Sequence, residues 1–465
     1  MSVLESRRSA RILLTLTVVV LAATIVVSPP AHAASVAVGN QPRAVAVNPV
    51  TNKVYVTNAG SGSVSMIDGV TSAVTTVGVG ANPYAVAVNP VINKVYVANA
   101  SGTNVSVIDG STSAVTTVGV GTWPGAVAVN QVTNKVYVTN YSDNVTVIDG
   151  ATNVPTTIAA GTYPYAVAVN QVTNKVYVAN HNSDNVTVID GATNSATSVG
   201  VGKWPCALAV NPVTNRVYVA NHGGSSVTVI DGATNSHVNV ATGAGPTAVA
   251  VNPVTNKIYV ANYDGSSVTV IDGATNSVTT VGVGTAPIAV AVNSATNRIY
   301  VANRASGNAT VIDGATNSAI TIAAGTYPVS VAVNPVTNTA YVVNNVSSNV
   351  TVIDGVQVSQ LPLSISRSPS KSTVSYKRKK KVAKFTLSAT LSDARGRAVG
   401  AVVWLQKSSN GKKWSNVCKL KTNASGKASK AFSAKKKGTT YYRWSAPATA
   451  WDKARLTGKQ KVVVK

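Results

Sequence analysis

One feature limits the possible folds more than any other: the chain contains the same unit eight times. Aligned on a shared tyrosine, the copies stand at Tyr55, Tyr96, Tyr137, Tyr177, Tyr218, Tyr259, Tyr300 and Tyr341, so successive spacings are 41, 41, 40, 41, 41, 41 and 41 residues. An Ile-Asp-Gly or Ile-Asp-containing marker keeps step at Asp68, Asp109, Asp149, Asp190, Asp231, Asp272, Asp313 and Asp354. A chain of 465 residues would ordinarily divide into about three domains, but an array grows by stacking units that cannot bury their apolar faces alone.

One unit shows what is stacked. After Pro246 the sequence reads AVAVNPVTNKIYVANYDGSSVTVIDGATNSVTTVGVG. Period-two alternation places strands at Ala248–Val251, Lys257–Ala261, Ser267–Ile271 and Val278–Val283. Asn-Pro-Val-Thr-Asn, a polar loop and Asp-Gly-Ala-Thr-Asn provide the turns. Four short antiparallel strands in about 40 residues make a propeller blade. The expected fold is all-β: an eight-bladed β-propeller, with seven blades as the alternative if one unit stays outside the ring. The segment Ala34–Gly39 resembles a blade's fourth strand and would complete the last unit, sewing the ring shut without free sheet edges.

Tyr55-Val56-Thr57-Asn58 and Tyr137-Val138-Thr139-Asn140, with YVAN or YVVN in the other copies, resemble the YVTN family of β-propeller repeats over residues 34–356. The resemblance implies an extracytoplasmic bacterial or archaeal surface protein and leaves the ligand open. The N-terminus agrees. Arg7, Arg8 and Arg11 precede an apolar stretch from Ile12 to Val27, and Ala31-His32-Ala33 fits a small-x-small cleavage site. Residues 1–33 therefore read as a signal peptide, an uncleaved anchor being the alternative, with no transmembrane segment expected after cleavage.

Beyond a linker or first strand at 357–371, residues 372–465 show short alternating segments with turn signals at Asp393-Ala394-Arg395-Gly396, Asn410-Gly411 and Asn423-Ala424-Ser425-Gly426. They read as a small immunoglobulin-like β-sandwich and resemble Ig-like modules appended to secreted actinobacterial proteins. Charge separates the two parts. Residues 357–465 carry 26 Lys and Arg against Asp393 and Asp452, whereas residues 34–356 carry 10 against 11 Asp. Lys377, Arg378, Lys379, Lys380 and Lys381, with Lys435, Lys436 and Lys437, are the candidate polyanion contacts. In an exported protein the expected partners are anionic cell-wall polymers or lipid headgroups, with nucleic acid ranked below them and a merely solvated basic face as the alternative.

The repeats argue against catalysis, because a reacting substrate has no eightfold symmetry. Glu5 is the only glutamate, and the repeated Asp-Gly carboxylates read as turn caps. His181 and His222 occupy equivalent positions in adjacent units, but no third zinc ligand accompanies them. Neither cofactor nor metal is expected, and Cys206 and Cys418 read as unpaired thiols. What varies between copies is more informative. Residues around the proline before each innermost strand, and the residue after each Tyr-Val-x-Asn, lie in loops expected on one propeller face. There the aromatic and basic departures are Tyr84, Trp123, Tyr141, Tyr163, Tyr165, His181, Trp204, His222, Tyr263 and Arg304, concentrated on blades two to five. They form a candidate surface for carbohydrate or extended peptide, unless they only cap the core between blades. The expected function is an exported surface binding or adhesion protein. The alternatives are a structural envelope component and, third, a propeller lyase.

Overall fold

The structure, a computed structural model, describes residues 33–355 in full and, beyond them, the backbone of eight strands between Ser364 and Val464. The signal-peptide segment before residue 33 lies outside the described residues, as do Lys377, Arg378, Lys379, Lys380, Lys381, Lys435, Lys436 and Lys437. The chain divides into two compact units, one of them Pro30–Val358 and the other containing Ser359–Lys465.

The first unit is an eight-bladed β-propeller. Blade 1 runs outward from the axis as Pro42–Asn48, Lys53–Asn58, Ser63–Asp68 and Val74–Gly78, paired antiparallel in that order. Blades 2 to 7 repeat this pattern. In blade 8 the first three strands, Pro328–Asn334, Thr339–Asn344 and Asn349–Asp354, come from the end of the repeats. The fourth is Ala34–Ala37, with Ala34 opposite Val352 and Ala37 opposite Asn349. The strand expected to close the ring does so, and all eight units are in it, which removes the seven-bladed alternative.

The turn chemistry is local. Asn48 accepts from the backbone N–H of Val50 at 3.0 Å and of Thr51 at 3.3 Å, after which Asn52 turns the chain at φ +52°. Asparagine tolerates that left-handed conformation better than most side chains. Asp68 likewise accepts from Val70 and Thr71 N–H at 2.9 and 2.8 Å. These bonds hold its carboxyl below the usual carboxylate range. The repeated Asp-Gly acids are thus turn caps.

The core lies between blades. Strands two and three are sandwiched by neighbouring sheets, so Val54, Tyr55 and Val56 are fully buried, while the outermost strand buries only Val77. Tyr55, Val64, Met66 and Val77 of blade 1 pack on Val95, Val97 and Ile108 of blade 2. Eight such clusters occur, and the last joins Val36, Tyr341, Val343 and Val350 of blade 8 to Val54, Val56 and Ile67 of blade 1. Each buried tyrosine ring contributes roughly 2–3 kcal/mol of gross apolar stabilisation.

Polar bonds repeat the closure on one face. Asn48 Nδ2 donates to Asn93 Oδ1 of the next blade at 2.9 Å, and the relation recurs around the ring until Asn334 donates to Asn52 at 2.7 Å. Lys53 Nζ donates to the Gly110 carbonyl of the next blade at 2.9 Å, and Lys94, Lys135, Lys175, Arg216 and Lys257 do the same in turn.

The second unit contains two antiparallel sheets. In one, Ala383–Asp393 pairs with Ser364–Ser366, Gly396–Arg397 and Lys427–Ala434. The other is ordered Ser415–Lys421, Val402–Ser408, Gly438–Ser445, Gln460–Val464. Ser364–Ser366 falls within the stretch read as a linker or first strand.

Candidate ligand-binding face

Opposite the Asn-Pro-Val-Thr-Asn turns, two sets of loops meet. One leads from an outermost strand to the next innermost strand; the other joins strands two and three. Backbone bonds join them: Tyr141 N–H to the Trp123 carbonyl at 3.2 Å, His181 to Tyr163 at 2.9 Å, His222 to Trp204 at 3.0 Å, Tyr263 to Gly245 at 2.8 Å and Arg304 to Ala286 at 3.0 Å. The two variable positions expected on one face do share it.

The residue before each proline is in the left-handed region. Trp123, Tyr163, Trp204 and Tyr327 have φ of 55, 58, 55 and 64°. The conformation belongs to the repeat, since Gln41, Asn82, Gly245 and Ala286 share it at 49, 52, 61 and 54°. Only blade 6 uses glycine there, and a bulky residue in such a well costs roughly 1–3 kcal/mol. Two aspartates fix the loops: Asp143 accepts from Tyr163 N–H and Asp184 from Trp204 N–H, both at 2.9 Å. The residue after each proline sits at a β-bulge, the register shifting between Pro83 and Ala85, Pro164 and Ala166, and Pro205 and Ala207. Bulges re-aim side chains, here those of Tyr84, Tyr165 and Cys206 at the axial rim.

These devices bring most of the expected residues into one arc. Tyr141 stacks on Tyr163 with centroids 4.3 Å apart and lies nearly parallel to Tyr165 at 6.0 Å. His181 continues the row, 6.0 Å from Tyr163 and 5.8 Å from Tyr165. The Trp204 ring follows at 6.1 Å, nearly parallel to His181, and His222 lies 6.5 Å further on. Trp204 therefore stands between the two histidines, which removes the geometry for a shared metal. Nor do three His, Cys, Asp or Glu side chains gather to hold one among the described residues. His181 Nδ1 is 2.8 Å from Asn182 Oδ1.

At the rim the arc continues through Tyr84. Gly125 occupies the after-proline position of blade 3, and a Cβ there would strike the ring of Tyr141. Tyr141 uses that space to reach inward. Burial pushes the phenols of Tyr141 and Tyr165 well above the usual range, reinforced by the nearby Tyr84 phenol. Arg43 places its guanidinium 3.8 Å from the Tyr84 ring centre.

Three expected residues stand apart. Trp123 is 59% exposed, and neither it nor Tyr263 has a ring partner among the described residues. Arg304 lies 4.1 Å over Tyr327 on the far side of the ring. Arg43, Tyr327 and Gly125 were not among the expected site residues. Their sequence signal is compensation: a missing side chain beside a large one, and an arginine within one blade of a tyrosine. Cys206 donates to the Pro246 carbonyl, the sulfur lying 3.3 Å from it, and burial pushes the thiol up to about 12.

No family model matches the chain, and no curated protein sequence matches it. Among solved structures, Kuenenia stuttgartiensis hydrazine synthase aligns over 72% of this chain and 99% of its own at 19% identity, with a TM-score of 0.50. The computationally designed Ika8 protein aligns over 68% of this chain and 97% of its own at 18% identity, with a TM-score of 0.59. At such identities the likeness is one of fold alone. The chain is an all-β protein whose repeats close into an eight-bladed β-propeller.

Proposed function

We propose that this is an exported, surface-associated binding protein of the YVTN-repeat type, without catalytic activity, whose aromatic arc takes a carbohydrate. In this reading residues 1–33 are a signal peptide and the basic C-terminal unit, an immunoglobulin-like sandwich, contacts anionic envelope polymers. The observation that carries it is the arc from Tyr141 through Tyr163, His181 and Trp204 to His222. Asp143 and Asp184 fix the loops that carry Tyr163 and Trp204, and rings that only capped the core would need no such bonds. The Trp204 indole is 52% exposed yet braced on both sides, so little side-chain freedom remains to be lost on binding. Such a platform suits the apolar face of a sugar.

A glycan array probed with the full chain and with Trp204→Ala and Tyr163→Ala tests this. The parent should retain a defined set of glycans, Trp204→Ala should weaken them about tenfold or more, and Trp123→Ala should cost less, its ring being unbraced. Equal retention by parent and variants would refute the reading. Release of the protein from cells by high salt tests the contact of the C-terminal unit with the envelope.

A further inference from the structure

The cations of the propeller divide between its faces. Of ten Lys and Arg in residues 34–356, six donate to carbonyls of the next blade and Arg298 pairs with Asp313 at 2.9 Å, all on the Asp-Gly side. The other three, Arg43, Lys203 and Arg304, lie on the aromatic face. None of the three is in an ion pair among the described residues. Two of the three acids on that face, Asp143 and Asp184, are already engaged by Tyr163 and Trp204 N–H, between strands two and three rather than at the axis. At the axis Arg43 sits over Tyr84, whose hydroxyl lies near those of Tyr141 and Tyr165. A guanidinium and phenolic O–H donors thus converge at the rim, and a carboxylate is the acceptor that matches them.

We propose that the ligand is an acidic oligosaccharide, a uronate carboxylate sitting on Arg43 and the Tyr84 and Tyr165 hydroxyls while further sugars follow the arc to Trp204. This rests on the carbohydrate reading above and gives it a chemical class. The Tyr141 and Tyr165 phenols remain neutral donors across the physiological range, since burial raises both.

Titration of the full chain with oligogalacturonate, its neutral methyl ester and a poly-glutamate peptide is the test, done at elevated salt to screen the C-terminal lysines. Oligogalacturonate should bind more tightly than its ester, and Arg43→Gln should lower its affinity about tenfold or more while leaving the ester unchanged. Tyr84→Phe with Tyr165→Phe should act in the same direction. The proposal falls if Arg43→Gln is silent, if ester and acid bind alike, or if poly-glutamate competes as well as the oligosaccharide. Loss of neutral-glycan binding in Trp204→Ala with Arg43→Gln silent would overturn the acidic assignment alone. If neither variant matters, both readings fall.

Discussion

Asn134 does two jobs that substitution can separate. Its Oδ1 accepts from Asn89 Nδ2 at 2.9 Å, linking blades 2 and 3, and its backbone turns at φ +54°. Asn89 is fully buried, so losing the acceptor leaves a buried amide donor unpaired, at a cost of about 1–3 kcal/mol. Asn134→Gly adds no steric cost to that loss, because glycine enters the left-handed region freely. Asn134→Ala adds about 1–2 kcal/mol for a Cβ in that region. Glycine returns about 0.5–1 kcal/mol of this difference through the larger entropy of its unfolded chain. Alanine should therefore be the worse substitution by about 0.5–1 kcal/mol, although it is the smaller chemical change in the unfolded chain. Asn134→Asp, which keeps both the acceptor and the tolerance for positive φ, should cost least. Denaturant midpoints of the propeller transition, followed by tryptophan fluorescence at constant slope, give the order Asp, Gly, Ala. Glycine equal to or worse than alanine would refute the backbone half of the argument. An aspartate variant as poor as glycine would refute the hydrogen-bond half. The same series at Asn52 examines ring closure, where Asn334 is the donor.

Other consequences follow from the site and from titration. Gly125→Ala should push Tyr141 out of the rim and weaken glycan binding while the melting temperature changes little, because the displaced ring lies at the surface of the arc. Asp184→Ala removes the bond to Trp204 N–H, so near-ultraviolet circular dichroism from the indole should fall and binding should weaken about tenfold or less. The Cys206 thiol, pushed up to about 12, should resist alkylation at pH 8 in the folded protein and react once it is unfolded, where an ordinary thiol is roughly a quarter ionised. Burial also raises Tyr96, Tyr137, Tyr177, Tyr259 and Tyr300 to about 12, their unfolded-state value being near 10. The stability this reflects is complete below the unfolded value and disappears as pH climbs through the folded one. Alkaline titration should therefore unfold the propeller cooperatively between about pH 10 and 12, and stability unchanged over that range would contradict the burial.

The architecture was legible because each blade obeys local rules. Alternation in AVAV and KIYV set the strands, Asn-Pro-Val-Thr-Asn and Asp-Gly-Ala-Thr-Asn set the turns, and the orphan strand at Ala34 identified the closure. The face was legible too, since loop connectivity alone assigns the Trp204 and His222 loops to the same side. Side-chain association was not. Nothing in the spacing says that Tyr141 leans over Gly125 or that Trp204 separates the two histidines, because those outcomes depend on the bulge after each proline and on the left-handed residue before it. Arg43 is absent from the expected site residues for the same reason. It stands one blade from Tyr84, and the convergence of the innermost strands on the axis brings it near Tyr165 of blade 4 as well.

The division of the cations has a physical basis that favours one face as the site. On the Asp-Gly face nearly every blade needs its second-strand cation for a neighbour's carbonyl, so a change there breaks an inter-blade bond and is felt around the ring. On the opposite face the two variable loops of each blade are joined by backbone bonds such as His181 N–H to the Tyr163 carbonyl, which any non-proline side chain permits. Side-chain identity at those positions is less constrained by the backbone bonds, and these are the positions that differ. Asp143 and Asp184, with Ser183 Oγ accepting from Thr162 N–H at 2.9 Å, perform structural duties on that arc, and they perform them for the aromatic loops. A binding surface on this propeller thus requires an asymmetric set of side chains on a symmetric frame, and the arc from Arg43 to His222 is where the frame leaves them free.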